Sequence, residues 1–485
     1  MTKLLPLSFL LLSLVSCGGG GGGSSSAEQA TNSDNPAVTP TTPDEFPQGF
    51  DDKVITKSSV THVPMNLISQ ELTMTFDPVA QTVKGHSVIN FNTKKEGRPY
   101  FELQGTVTNV KIDGASSDVT NITDPDGQSQ TYKSVNESVS SDANHVVEFD
   151  YTLPTGRVTF TGGGVRFLTD MTDLNGKFFE YWGPTGFEED QFAMTLNLKV
   201  TNSTSSHKLR TNGEITSSEQ SAWKIVFPDY YSKSSFYVHL TNQSLPSKTL
   251  TYKGLERDIP IEVYGVTQSL VDTAAAQLPG LFKELEGDYG PYPHTKFLAY
   301  MNDRSGGMEY VAATITSVAS IDHELLHSWF ARSMIPADGR SGWIDEATAS
   351  WRDYGYTRAS STLNRTATNL ANYSVFRKST PSNVYVDGRA LYAELDRQFA
   401  NIGGLKPVLK ALHANYKHSV ITNELFWMFL ESKTGMDLTA FQERYVTGNS
   451  AEIALKSATI SESGVTNGAS KHPTPLTEEE ILRLR

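Results

Sequence analysis

The sequence predicts an α+β multidomain chain, an N-terminal antiparallel β domain followed by a mostly helical one. Two patterns predict it. From about residue 54 to residue 264 apolar side chains recur at every second position, as half-buried strands require, and after Gly265 they recur at helical spacing. Size agrees: 485 residues, 38% of them hydrophobic, are enough for two or three domains with sizeable cores. No internal stretch is long and apolar enough to span a bilayer.

Residues 1–17 differ from everything after them. Lys3 gives a weak positive end, and Leu4 to Val15 is an apolar run broken by Pro6 and two serines, the make-up of a secretory signal peptide. It closes on Leu14-Val15-Ser16-Cys17, which resembles the lipobox of bacterial lipoproteins, where the cysteine is acylated. Cys17 is the only cysteine in the chain, so lipidation is expected there and no intrachain disulfide can form. Gly18 in the following position resembles outer-membrane cargo, which implies a lipid-anchored protein of the bacterial cell envelope, facing the periplasm or the cell surface. Residues 18–52, rich in Gly and Ser and then in Thr and Pro, read as a flexible tether. A net charge of −13 without a basic cluster argues against nucleic acid and anionic lipid as partners.

Residues 53–264 read as the β domain. Leu72, Met74 and Phe76 alternate with polar neighbours, as do Met194, Leu196, Leu198 and Val200, and Ile259, Ile261 and Val263. Residues 265–450 read as the second domain. A helix is expected over residues 267–287, kinked or split at Pro279-Gly280. A short strand over 296–301 and a loop over 305–310 come next, and further helices are expected over 351–360, 388–400, 406–416, 423–433 and 438–446. Residues 451–485 read as a peripheral tail.

The chemistry concentrates around His323, Glu324 and His327, an H-E-x-x-H motif. On a helix over residues 321–332 the two histidines lie one turn apart on one face, where they can share a metal. Zinc takes four ligands, and a catalytic zinc takes three from the protein and leaves the fourth to water. Glu346, which follows His327 after eighteen intervening residues, supplies a third ligand if residues 343–356 form a second helix entered through the turn-rich segment 336–342. Glu324 would then act as general base toward the activated water.

With these residues in view, the chain resembles the M1 family of zinc aminopeptidases over about residues 67–448. The family's zinc motif stands as His323, Glu324, His327 and Glu346. Its G-x-M-E-N loop stands as Gly306-Gly307-Met308-Glu309-Tyr310, with Tyr310 where asparagine is usual. Its Y-x-K-G motif stands as Tyr385-Val386-Asp387-Gly388, with Asp387 in place of lysine. The resemblance implies a thermolysin-like zinc peptidase domain with one Zn2+ on His323, His327 and Glu346, and Glu324 as general base. It implies that Tyr385 donates to the oxyanion, and that Gly306, Gly307, Met308 and Glu309 bind substrate, Glu309 holding the free α-amino group. The expected partners are peptides with a free N-terminus, and the expected activity is removal of their N-terminal residues.

Departures leave other outcomes open. About 140 residues follow Glu346, so the family's large C-terminal helical domain is expected to be missing and the cleft open. That cleft also permits a thermolysin-like endopeptidase, or a tethered peptide-binding module whose catalysis has lapsed. Manganese, iron or cobalt suit the same ligands.

Overall fold

The computed structural model describes residues 50–448 apart from 127–130, 142, 155, 170–178, 305, 360–366 and 378–379. The expected signal peptide, Cys17, the tether as far as residue 49 and the tail from residue 451 lie outside the described residues.

Strands β1 (Asn66–Asp77), β2 (Thr82–Asn92), β3 (Thr106–Ile112), β4 (His145–Thr152), β5 (Ala193–Val200) and β6 (Ala222–Phe227) form the centre of an eight-stranded sheet. Their order is β6-β5-β1-β2-β4-β3. Leu72, Met74 and Phe76 of β1 stand beside Leu196, Leu198 and Val200 of β5, and all six are buried. A slip of one residue would turn each set to the other face, so burial sets the register. This pair is parallel, which corrects the expectation of a wholly antiparallel domain. Side-chain alternation is the same in both kinds of pairing, and the long crossover that a parallel pair needs is supplied by residues 78–192. A four-stranded sheet shares this core through Val165, Phe167, Val238 and Leu240.

A five-stranded sheet carries the chain toward the histidines. It contains β7 (Ser247–Lys253), β8 (Asp258–Gly265), β9 (Phe297–Met301), β10 (Gly307–Tyr310) and β11 (Ala313–Thr316), in the order β7-β8-β9-β11-β10. Ile259, Ile261 and Val263 lie on β8, so this sheet runs across the division expected at residue 264. Helix α1 (Gln268–Tyr289) connects β8 to β9, and Val271, Leu278, Phe282 and Leu285 join Ile259, Ile261, Phe297 and Ala299 in one core. Pro279-Gly280 does not split the helix; α1 is one helix of 22 residues. Its apolar face is fixed on both sides of Pro279, which offsets the lost N–H and the crowded carbonyl. Residues 307–310, expected as loop, are the edge strand β10, paired antiparallel with β11.

The helical part follows as α2 (Ile321–Leu326), α3 (Trp343–Asp353), α4 (Arg389–Gln398), α5 (Leu405–Tyr416) and α6 (Asn423–Thr434). The expected helix over 351–360 is corrected. Helix α3 ends at Asp353, because Gly355 (φ 69°) and Tyr356 (φ 54°) turn left-handed. The expected last helix is present as Thr439–Phe441 continuing into the π-helix Gln442–Val446. Trp343, fully buried, anchors the start of α3: its ring packs on Tyr392, Phe426 and Trp427, and its Nε1 donates to Asn423 Oδ1 at 3.1 Å.

Candidate active site

Helix α2 is shorter than the expected span of residues 321–332. After Leu326 the bonds tighten to i→i−3, Ser328 N donating to Leu325 O and Trp329 N to Leu326 O, and Ala331 then turns at φ 107°. The chain leaves as β12 (Met334–Pro336), which pairs with β13 (Ser419–Ile421). Burial of Trp329 and Phe330 drives the turn, and Trp329 Nε1 donates to Gly290 O at 3.0 Å. His327, the first residue past α2, keeps αR backbone. The i, i+4 relation to His323 therefore survives, with ring centroids 4.9 Å apart.

Glu346 sits in the first turn of α3 and faces both histidines. Its Oε2 lies 3.4 Å from His323 Nε2 and 3.7 Å from His327 Nε2. Ligand atoms held tetrahedrally at about 2.0–2.1 Å from zinc stand about 3.3 Å from one another. The donor chemistry fits too. His323 Nδ1 donates to Asp353 Oδ2 at 2.7 Å and His327 Nδ1 donates to Phe330 O at 3.1 Å, which leaves each Nε2 lone pair free. Oε2 of Glu346 is buried without a hydrogen-bond partner. Burial alone would depress the His323 pKa. The hydrogen bond to Asp353 and the adjacent carboxylates of Glu346 and Glu324 outweigh it and push His323 up to about 11. A cation is favoured at this point, as a proton on His323 or as a metal among the three ligands.

The remaining expected residues surround this triad. Glu324 is buried, and its carboxyl is held well above the usual carboxylate range, first by burial and next by the charge of Glu309. Its Oε2 has no hydrogen-bond partner. Gly307 explains how the side chain fits: a Cβ there would stand 2.6 Å from Glu324 Oε1 and 2.7 Å from its Cδ. The neighbouring Gly306 takes φ 80°, the left-handed region that favours glycine. Met308 is half-buried on β10 beside Glu309.

Tyr385 lies in the π-helix Val384–Gly388, and its hydroxyl donates to Glu346 Oε1 at 2.7 Å. Burial and the charge of Glu346 hold its pKa well above the ordinary phenol value. Gly388 allows that segment to approach α3, since a Cβ at this position would meet Ala347 Cβ at 2.8 Å. Glu309, expected to face a substrate amine, instead accepts from Arg332 Nη2 at 2.7 Å through Oε1.

His323, Glu324, His327, Glu346, Asp353, Tyr385, Arg332 and residues 306–309 line one cavity of about 800 Å³. Its far wall comes from the β-rich part, through Glu188, Lys233 and Ser234, and none of these was singled out in the sequence. Asp353 and Arg332 were also missed. Asp353 lies seven residues after Glu346 on α3, two turns on and so on the same face, a spacing that could have revealed it. Glu188 and Ser234 carry no local signal.

No protein-family model matches the chain, and no curated protein matches its sequence. Solved structures do. A mutant of the M1 zinc metallopeptidase from Deinococcus radiodurans is similar at 14% identity over 80% of this chain and 95% of that one, with a TM-score of 0.58. A two-domain M1 zinc metallopeptidase mutant bound to L-arginine is similar at 12% over 78% and 93%, with a TM-score of 0.56. Leukotriene A4 hydrolase from Saccharomyces cerevisiae is similar at 12% over 85% and 72%, with a TM-score of 0.59. At such identities the likeness is one of fold. The chain has the mixed α+β fold of the two-domain M1 zinc metallopeptidases, a β-rich part joined to a smaller helical one.

Proposed function

We propose that this chain is a zinc-dependent aminopeptidase that removes N-terminal residues from peptides. The observation that carries the reading is the convergence of His323 Nε2, His327 Nε2 and Glu346 Oε2 at tetrahedral-ligand spacing. Zinc held by these three would polarise the scissile carbonyl and favour the ionised form of Glu324. Glu324 accepts a proton from the attacking water and delivers it to the departing nitrogen. Its unpartnered Oε2 and its place against Gly307 suit that task. Tyr385, kept protonated, donates to the oxygen on which negative charge develops, so its bond strengthens in the transition state. Glu309 on the edge strand takes the α-ammonium and limits cleavage to the first peptide bond. Asp353 holds the His323 ring and its tautomer.

The ion pair between Arg332 and Glu309 favours a second reading, cleavage of internal bonds, because the carboxylate meant for the amine already has a cation. One panel separates the two. Peptides with free and with acetylated N-termini are incubated with the full-length chain and the products weighed by mass spectrometry. Stepwise loss of single residues from free termini only, stopped by a chelator and restored by zinc, is the expected result. Internal cleavage of both forms moves the assignment to an endopeptidase, and turnover that survives Glu324→Ala removes the mechanism. Stoichiometric metal without any turnover would indicate a lapsed, peptide-binding module. We further propose attachment to a bacterial envelope membrane through a lipid on Cys17, for which Cys17→Ser should abolish fatty-acid labelling and detergent-phase partitioning.

A further inference from the structure

Resting on the peptidase reading above, we propose that Arg332 sets how strongly this site prefers a free N-terminal amine, as a built-in cation that competes with the substrate for Glu309. The guanidinium is 7% exposed and fixed on three sides. Its Nη2 donates to Glu309 Oε1 at 2.7 Å, its Nη1 donates to Ser234 Oγ, and Nη1 stands 3.7 Å from Glu188 Oε1. Ser234 Oγ in turn donates to that same Glu188 oxygen. The backbone holds the residue in place, since Arg332 N donates to His327 O at 2.9 Å in the turn that follows α2. Position and charge of the guanidinium are thus tied to the metal-binding turn itself.

An ammonium that reaches Glu309 meets a carboxylate already satisfied through one oxygen, and it is repelled by the guanidinium that satisfies it. Two carboxylates share one guanidinium here, so the cluster keeps a net charge of −1 and still attracts an amine. Glu188 is what preserves that surplus, because it draws part of the Arg332 charge away from Glu309. The preference of the site for binding a free terminus is consequently smaller than Glu309 alone would give. Arg332 tunes selectivity and does not touch the reacting atoms.

The two acidic neighbours give predictions of opposite sign. In the full-length chain carrying Glu324→Ala to stop turnover, calorimetry yields Kd for an alanyl tripeptide with a free and with an acetylated N-terminus. Arg332→Gln should raise the acetylated-to-free Kd ratio about tenfold, which corresponds to about 1.4 kcal/mol. Glu188→Gln should lower the ratio below that of the parent, and Arg332→Lys should leave it close to the parent. An unchanged or lowered ratio in Arg332→Gln overturns the proposal, as does a shift of Glu188→Gln in the same direction as Arg332→Gln. Should Arg332→Gln fail to fold, Glu188→Gln, which leaves the Arg332–Glu309 pair intact, decides alone. Failure of the peptidase reading is recognised separately, as absence of hydrolysis of either peptide by the zinc-loaded wild-type chain.

Discussion

Replacing Gly307 by alanine tests the site at its tightest point. The added Cβ would stand 2.6 Å from Glu324 Oε1 and 2.7 Å from both Cδ and Cγ. Carbon contacts settle at about 3.5–4.0 Å, so the carboxylate has to retreat by about 1 Å. A displacement of that size at a reacting group costs about a hundredfold in rate, or about 2.7 kcal/mol of transition-state stabilisation. Stability should fall by no more than the ~1–3 kcal/mol typical of a single overpacked contact. None of the three atoms proposed to hold zinc is touched, so bound metal should stay stoichiometric. The assay is kcat and KM on a reporter peptide, with metal content by atomic absorption and Tm by calorimetry. A variant that binds metal fully, melts normally and keeps kcat within about threefold of wild type would refute the claim that the packing of Gly307 positions Glu324.

Three further perturbations bear on the same constellation. Asp353→Ala should weaken zinc affinity by about 10–100-fold in a chelator competition, since it removes the acceptor that orients His323. Tyr385→Phe should lower kcat by about 10²–10³-fold with KM little changed; if the hydroxyl serves only to orient Glu346, zinc affinity will fall instead and kcat at saturating zinc will hold. The third concerns pH. His323 is pushed up to about 11 from an ordinary 6.5, so the proton it binds stabilises the folded, chelated protein fully below pH 6.5, and that contribution is lost as pH rises toward 11. The Tm of chelated protein should fall across this window relative to zinc-loaded protein, and a constant difference between the two would contradict the shift.

What could be read in the sequence was what local geometry dictates. His323 and His327 were legible because a four-residue spacing needs only one helical turn, and it survived although α2 ends at Leu326. Glu346 was legible because a second helix after a turn-rich segment has few ways to return. Alternation located β1 and β5 but could not disclose that they pair in parallel, since both arrangements use the same face pattern. Pro279 does not split α1, because the core on which the helix lies outweighs that local rule. Gly307 could be recognised as part of a motif, yet its reason, the approach of Glu324, exists only between two elements. Arg332 stood in plain view five residues after His327. Its partners did not: Glu188 and Ser234 come from the β-rich part, and only long-range folding brings them together.

Arg332 also joins the two halves of the site through one charge. Glu309 raises the proton affinity of Glu324, whereas Arg332 lowers it. On the proposed aminopeptidase reading, Glu309 without Arg332 would make a stronger amine subsite and leave Glu324 beside it harder to ionise, because both effects follow from the same uncompensated negative charge. With Arg332 in place, Glu309 attracts an ammonium less and Glu324 gives up its proton more readily. Arg332 acts in the same sense on Asp345, whose carboxyl is nevertheless held well above the usual carboxylate range by burial and by the charges of Glu346 and Glu309. Strong capture of a free N-terminus and an ionised base therefore oppose each other in this cavity. An arginine one turn beyond the second histidine is a physical compromise between them, and its removal should improve the binding of free amines while it impairs the base.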